Sequence, residues 1–275
     1  MDKKLIDQKI IDLYDDYVHI HFDRRLFLDR LAKHVGGLGA ALAVLPLLQS
    51  DYALAAVVAE NDPRIVTERT TFKGATGEIK AYKAHPKDDA KHGGIVVAHQ
   101  NRGLNPHIED IARRLATEGY IALAVDFLSP MGGTPSDEQA AMKMFGQLDP
   151  AQTAANAKAA AANLRAAGHG TGKVGIIGFC WGGGVVNQLA VDDPQLNAGV
   201  AYYGNPAKIE DVPKIKAPLL LNYADPTKDT RLGGLMPDYE KALKDNNKTF
   251  TLHYYEGAQH AFNDDTQAAR YDEAA

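Results

Sequence analysis

Three observations predict an α/β fold with a mainly parallel sheet and helices on both of its faces. Short uncharged runs such as Gly94-Ile95-Val96-Val97-Ala98-His99 read as strands covered on both sides. These runs alternate with helix-period segments from residue 64 to residue 255. One glycine-rich segment, Gly178 to Gly184, reads as strand, tight turn and helix in succession.

The opening stretch differs from this pattern. Residues 2–23 are charged and amphipathic, with Leu5, Ile6, Ile10, Leu13, Tyr14 and Tyr17 near helical spacing. Asp23-Arg24-Arg25-Leu26-Phe27-Leu28 follows, then an uncharged run over 35–48 and small residues at Ala53-Leu54-Ala55. Paired arginines, a modestly apolar segment and an A-x-A site make up a twin-arginine export signal. Asp23 stands where such signals carry Ser or Thr, and the leading region is long and acidic. The competing expectation is a helical extension. Residues 1–56 are therefore read as signal or helical extension, and 57–275 as the α/β domain. Export would place the protein in the periplasm; otherwise it is expected in the cytoplasm. The apolar run is too short and glycine-rich for a stable membrane span.

The domain opens with strands over 64–72 and 78–85 around the turn Lys73-Gly74-Ala75-Thr76-Gly77, a hairpin signature. A strand over 94–99 and a helix over 106–118 follow; Ile108, Ile111, Ala112 and Leu115 share one face of the helix. Next come a strand over 120–125, an insertion over 130–150 with a short helical stretch, and an alanine-rich helix over 151–167. The remainder reads as strand 173–178, helix 183–191, strands 198–203 and 218–223, helix 237–246 and strand 249–255. Insertions after strand ends cover the site in such folds.

Composition narrows the function. Of 275 residues, 45% are apolar and 24% charged, an ordinary globular balance. The net charge of −5 leaves no basic excess for a nucleic-acid backbone. One cysteine supports neither an intrachain disulfide nor a Cys-rich zinc site. No metal is expected, and the sequence leaves a homo-oligomer open.

That cysteine, Cys180, sits in Gly178-Phe179-Cys180-Trp181-Gly182-Gly183-Gly184. The G-x-C-x-G-G core is a nucleophile-elbow pattern with cysteine in place of serine. A nucleophile on a strained turn needs side-chain-free neighbours, which Gly178 and Gly182 supply. The following helix points its N-terminus at the sulfur, favouring thiolate and leaving N–H groups for an oxyanion. A buried structural cysteine is one alternative. A dinucleotide turn is another, but it belongs in the first βα unit with an acid about 20 residues on; strand 198–203 ends without one.

An elbow predicts the chain order nucleophile, acid, histidine. Asp225 and Asp229 follow strand 218–223, and His260 follows strand 249–255. His260 would take the thiol proton and one of the two aspartates would fix its tautomer.

Gly178-Phe179-Cys180-Trp181-Gly182-Gly183, Asp229-Thr230-Arg231 and Gly257-Ala258-Gln259-His260-Ala261-Phe262 resemble the dienelactone hydrolase (carboxymethylenebutenolidase) family of the α/β-hydrolase fold. His99-Gln100-Asn101-Arg102-Gly103-Leu104-Asn105-Pro106 is similar to its oxyanion loop, and the resemblance runs from about residue 64 to the end. It implies hydrolysis of an ester or lactone through a thioester, without a cofactor. It implies Cys180 as nucleophile, His260 as base, Asp229 as acid, and the backbone N–H groups of Trp181 and Asn101 as oxyanion donors.

Departures from the family pattern shape the expectation. Gln100 replaces the glutamate implicated in controlling the thiol proton, so activation rests on His260 and the helix. Asn263 replaces an arginine that clamps a substrate carboxylate, which points to a small uncharged substrate. Arg102 and Arg231 are the nearby candidates for anion contacts. The acid loop is about two residues longer than usual, which keeps Asp225 as a rival acid. Only fifteen residues follow His260, fewer than the family's closing helix needs. Its place is then expected to be covered by the N-terminal helices or a second subunit. Trp181, Tyr203, Phe127, Met131 and Phe262 are candidate pocket-lining residues. A degenerate hydrolase fold used for binding or scaffolding is the alternative function, and a peptidase or acyltransferase a third.

Overall fold

The computed structural model describes residues 7–20, 23–48, 51–52 and 56–275. Three helices come first: α1 (Gln8–Ile20), α2 (Arg24–Val35) and α3 (Leu38–Leu48). Asp23 caps α2 by accepting from the Arg25 N–H at 2.7 Å. Gly36 and Gly37, at φ 86° and 136°, turn the chain so that α2 and α3 meet at 108°. Ile10, Leu13, Tyr14 and Val18 of α1 share an apolar core with Phe27, Leu31, Ala41 and Leu45. Met142 from the domain and the half-buried Ala269 join that core. Among the described residues no single helix is long and apolar enough to cross a membrane. Leu5, Ile6 and the A-x-A site at 53–55 lie outside the described residues.

The domain is one eight-stranded sheet in the order β1-β2-β4-β3-β5-β6-β7-β8. Strands β1 (Ile65–Gly74) and β2 (Gly77–Pro86) form the hairpin. Their turn is tighter than the sequence suggested: Gly74 pairs with Gly77, leaving only Ala75 and Thr76 outside the ladder. Asn156 Oδ1 explains this by accepting from both turn N–H groups, at 2.9 and 3.3 Å. Strands β3 (His92–Ala98), β4 (Tyr120–Val125), β5 (Gly170–Phe179), β6 (Ala198–Tyr202), β7 (Leu219–Ala224) and β8 (Phe250–Tyr255) run parallel to one another. Val96, Val97 and Ala98 are fully buried, as the uncharged run required.

Helices α4 (Pro106–Thr117), α5 (Glu138–Phe145), α6 (Pro150–Arg165) and α7 (Trp181–Asp192) follow their strands, and α8 (Thr230–Gly233) and α9 (Met236–Asp245) follow β7. Asn105 caps α4 through the Ile108 N–H, and Asp149 caps α6 through the Gln152 N–H. Alanines 157, 160 and 161 bury the inner face of α6, whose small side chains let it lie close to β3 and β5. The 130–150 insertion holds a short 3-10 turn and α5. The register pairs Ala98 with Gly178, Gly178 with Ala201, and Ala224 with Tyr255. The loops after β3, β5, β6, β7 and β8 thus emerge along one edge.

Candidate active site

Cys180 occupies the turn between β5 and α7 at φ 53° and ψ −115°, a positive-φ conformation that costs a non-glycine residue energy. Its N–H donates to the Tyr202 carbonyl at 3.0 Å, which pins the turn to the neighbouring strand end. The flanking glycines are required by contact. A Cβ on Gly178 would lie 2.2 Å from the Gly182 carbonyl oxygen, and one on Gly182 would lie 2.2 Å from that of Ala98. Trp181 opens α7, whose first N–H groups have no intrahelical acceptor.

His260 lies in the loop after β8, 2% exposed, and Ala261 beside it takes φ 67°. Its Nδ1 is 2.6 Å from Asp229 Oδ2. Burial alone would push the imidazole down. The charges and hydrogen bonds of Cys180 and Asp229 outweigh it and raise the pKa to about 9. Asp229 answers in the opposite sense: burial raises its carboxyl, and the His260 cation overcomes this to hold it below the usual range. Asp229 also caps α8 through the Leu232 N–H. Asp225 does not reach the histidine. Its carboxylate accepts from the N–H groups of Thr227 and Gly257, at 2.8 and 2.9 Å, and so closes the two loops as a turn former. The geometry thus selects Asp229 over Asp225 as the imidazole's partner.

The loop after β3 carries Gln100 and Asn101 to the same edge. Gln100 is buried, with no hydrogen bond to its Nε2 among the described residues. It lies against the hydroxyl of Tyr203, which burial and the nearby charges of Asp264 and Cys180 push well above its ordinary pKa. The Asn101 side chain donates to the Val18 carbonyl of α1 at 2.8 Å. Arg102 departs from the sequence expectation. It is 3% exposed and faces inward, to Tyr14 OH at 3.2 Å, Glu138 at 3.4 Å and Asp264 at 3.9 Å. One hydroxyl and two carboxylates hold the buried guanidinium, which takes it away from any substrate anion. Arg231 remains exposed and donates to Asn205 Oδ1 at 3.1 Å.

Pocket expectations also divide. Phe127, Tyr203 and Phe262 are core residues, 0–1% exposed. Met131 packs in a small cluster with Leu128 and Phe145. Trp181 does line a cavity, a groove of about 360 Å³ bounded also by Phe145, Leu148, Val185, Gln188 and Asn205. Among the described residues, none that lines it is charged.

Two features went unread in the sequence. His99 is wholly buried; its Nδ1 donates to the Gln100 carbonyl at 2.7 Å, and its Nε2 accepts from the Phe127 N–H at 3.2 Å. Burial pushes its pKa down, so a neutral ring stacks under Trp181 at 5.5 Å. The signal available was a histidine ending an apolar strand. The second is a set of buried His107 and Asp264 with half-buried Asp265, whose donor atoms lie within 4.8 Å of one another. Arg114 meets Asp265 at 2.6 Å, and Thr266, Gln267 and Arg102 meet Asp264. These cations and donors balance the carboxylates as a structural network. No sequence signal marks it, because its members come from opposite ends of the domain.

Comparison with known proteins places the chain in a family. Residues 79–275 match the dienelactone hydrolase family, and residues 1–37 match a YqhI-like family. The "Putative hydrolase fragment YghX" of Escherichia coli is 47% identical over 113 residues, spanning 40% of this chain and 97% of that one. The "Putative carboxymethylenebutenolidase" of Methylorubrum extorquens is 30% identical over 241 residues, 82% of this chain and 81% of the relative. The crystal structure of the "Putative Dienelactone Hydrolase" from Klebsiella pneumoniae superposes with a TM-score of 0.68 at 29% identity, covering 76% of this chain and 92% of that one. The dienelactone hydrolase structure from Anabaena variabilis, at 21% identity and a TM-score of 0.59, shares the fold. The chain belongs to the dienelactone hydrolase family and is a hydrolase of the carboxylic ester or lactone class.

Proposed function

We propose that the chain hydrolyses small, uncharged esters or lactones through a thioester on Cys180, with His260 and Asp229 completing a triad. The observation that carries this reading is the 2.6 Å clamp of Asp229 on a buried His260 that interacts with the elbow cysteine. A histidine raised to about 9 is protonated at neutral pH, the partner a thiolate needs. The sulfur attacks the carbonyl carbon, and the carbonyl electron pair moves onto oxygen. Backbone N–H groups of Trp181 and Asn101 donate to that oxyanion. As the tetrahedral adduct collapses, the carbon–oxygen bond to the leaving alcohol breaks and the His260 imidazolium gives the alkoxide its proton. Neutral His260 then takes a proton from water, whose oxygen attacks the thioester. Collapse releases the acid and returns the thiolate–imidazolium pair.

The inward commitment of Arg102, which leaves it no part as an anion clamp, supports a neutral substrate. Turnover of p-nitrophenyl acetate by Cys180→Ala and His260→Ala tests the triad. Each variant should lose at least about a thousandfold; wild-type turnover in either would remove that residue from the chemistry. A binding or scaffold role instead predicts that Cys180 alkylates with the pH dependence of an ordinary thiol.

A further inference from the structure

Helix α1 touches two loops of the candidate active site. Near its start, Gln8 Nε2 donates to Gln259 Oε1 at 3.4 Å, one residue before His260. Near its end, the Val18 carbonyl accepts from Asn101 in the oxyanion loop at 2.8 Å. Ten residues of helix, about 15 Å, therefore bridge the two loops that flank the sulfur. Between them Tyr14 accepts from Arg102 and stacks under the Arg270 guanidinium at 5.3 Å, and Asp15 pairs with Arg270. Cys180 is 8% exposed and His260 2%.

We propose that α1 is a gate over Cys180, and that Tyr14, Asp15 and Val18 determine which substrates reach the sulfur by controlling its opening. The inference rests on the reading of Cys180 as the nucleophile. Most of the cap's apolar core is internal, formed among α1, α2 and α3, and so travels with it. The seam to the domain is largely polar, and water replaces such contacts at little net cost. Its far end is fastened. The Asp51 N–H donates to the Thr266 carbonyl at 2.8 Å, and the Val57 and Val58 N–H groups donate to Asp110 at 3.1 and 2.9 Å. The cap can therefore swing from a held end. Bulky esters need the wide opening and small ones only a narrow one, so the latch sets substrate size.

Reagents that differ in bulk test the gate on the full chain, since Cys180 is its sole cysteine. In Asp15→Lys a cation faces Arg270 and repels it. Labelling by fluorescein-5-maleimide should rise at least about tenfold, and hydrolysis of p-nitrophenyl octanoate should rise relative to the acetate. Tyr14→Ala, which removes the ring from the seam, should act in the same direction. Should Asp15→Lys not fold, Asp15→Asn removes the ion pair without changing shape, and a smaller rise is expected. Wild-type rates of fluorescein labelling in the folded variants would overturn the gate. Failure of the triad shows elsewhere: iodoacetamide, small enough to enter by narrow openings, would then label wild type and Asp15→Lys alike with an ordinary thiol's pH profile.

Discussion

Replacing Asp229 with asparagine preserves the side-chain shape and removes its charge. In the wild type the carboxylate sits 2.6 Å from His260 Nδ1, and both groups are buried. The imidazolium is held at about 9 against an ordinary value of 6.5. At about 1.4 kcal/mol per pKa unit, this is on the order of 3 kcal/mol in favour of the charged ring. Cys180 and Asp229 supply it jointly, against the cost of burial. In Asp229→Asn the amide carries no charge and can present an N–H to Nδ1, which favours the wrong tautomer. The pKa of His260 should fall by at least about 1, so the thiolate–imidazolium pair is lost at a correspondingly lower pH. With the tautomer penalty added, kcat/KM should fall on the order of 10³-fold to 10⁴-fold. Iodoacetamide labelling across pH reads the first effect, and p-nitrophenyl acetate turnover reads the second. A loss under about tenfold, with labelling unchanged, would refute the argued role of this carboxylate.

Other predictions rest on the same contacts. Gln100→Glu places a carboxyl in the buried space beside Tyr203 and Cys180; the alkylation midpoint of Cys180 should move to higher pH, because a neighbouring anion disfavours thiolate, and an unmoved midpoint would show that position to be irrelevant. Gly182→Ala drives a Cβ to 2.2 Å from the Ala98 carbonyl oxygen, so it should cost about 3 kcal/mol and lower Tm by on the order of 10 °C in a thermal melt. Hydrolysis of an alkyl ester should fall as pH rises through about 9, where His260 loses the proton its alkoxide needs; p-nitrophenyl acetate, with its better leaving group, should fall less. Because the folded pKa of His260 lies above its unfolded value, the stability it contributes is complete below pH 6.5 and lost as pH rises through about 9. Thermal melts should show this decline, and Asp229→Asn should flatten it.

The parallel sheet was legible because β3 and β4 are buried on both faces and read as uncharged runs. The elbow was legible for a steric reason: Gly178 and Gly182 face backbone carbonyls that exclude any side chain. The choice between Asp225 and Asp229 was not, since both follow one strand and only the loop's fold shows which carboxylate closes a turn. Arg102 misled because a loop position beside a proposed oxyanion donor suggests exposure. Its actual partners, Tyr14 and Asp264, stand at opposite ends of the chain. The same distance in sequence hid the seating of α1 on the site. Local periodicity reports that a helix has an apolar face, but not which surface receives it.

On the proposed mechanism Cys180 carries the acyl group between the two half-reactions. Rapid acid quench after mixing with p-nitrophenyl acetate, followed by peptide mapping, tests this directly. One hydroxylamine-labile acetyl group is expected on the peptide bearing Cys180, longer lived when His260 is replaced by alanine and absent in Cys180→Ala. Turnover with no acetyl on that peptide, or an acetyl group that persists in Cys180→Ala, would contradict it.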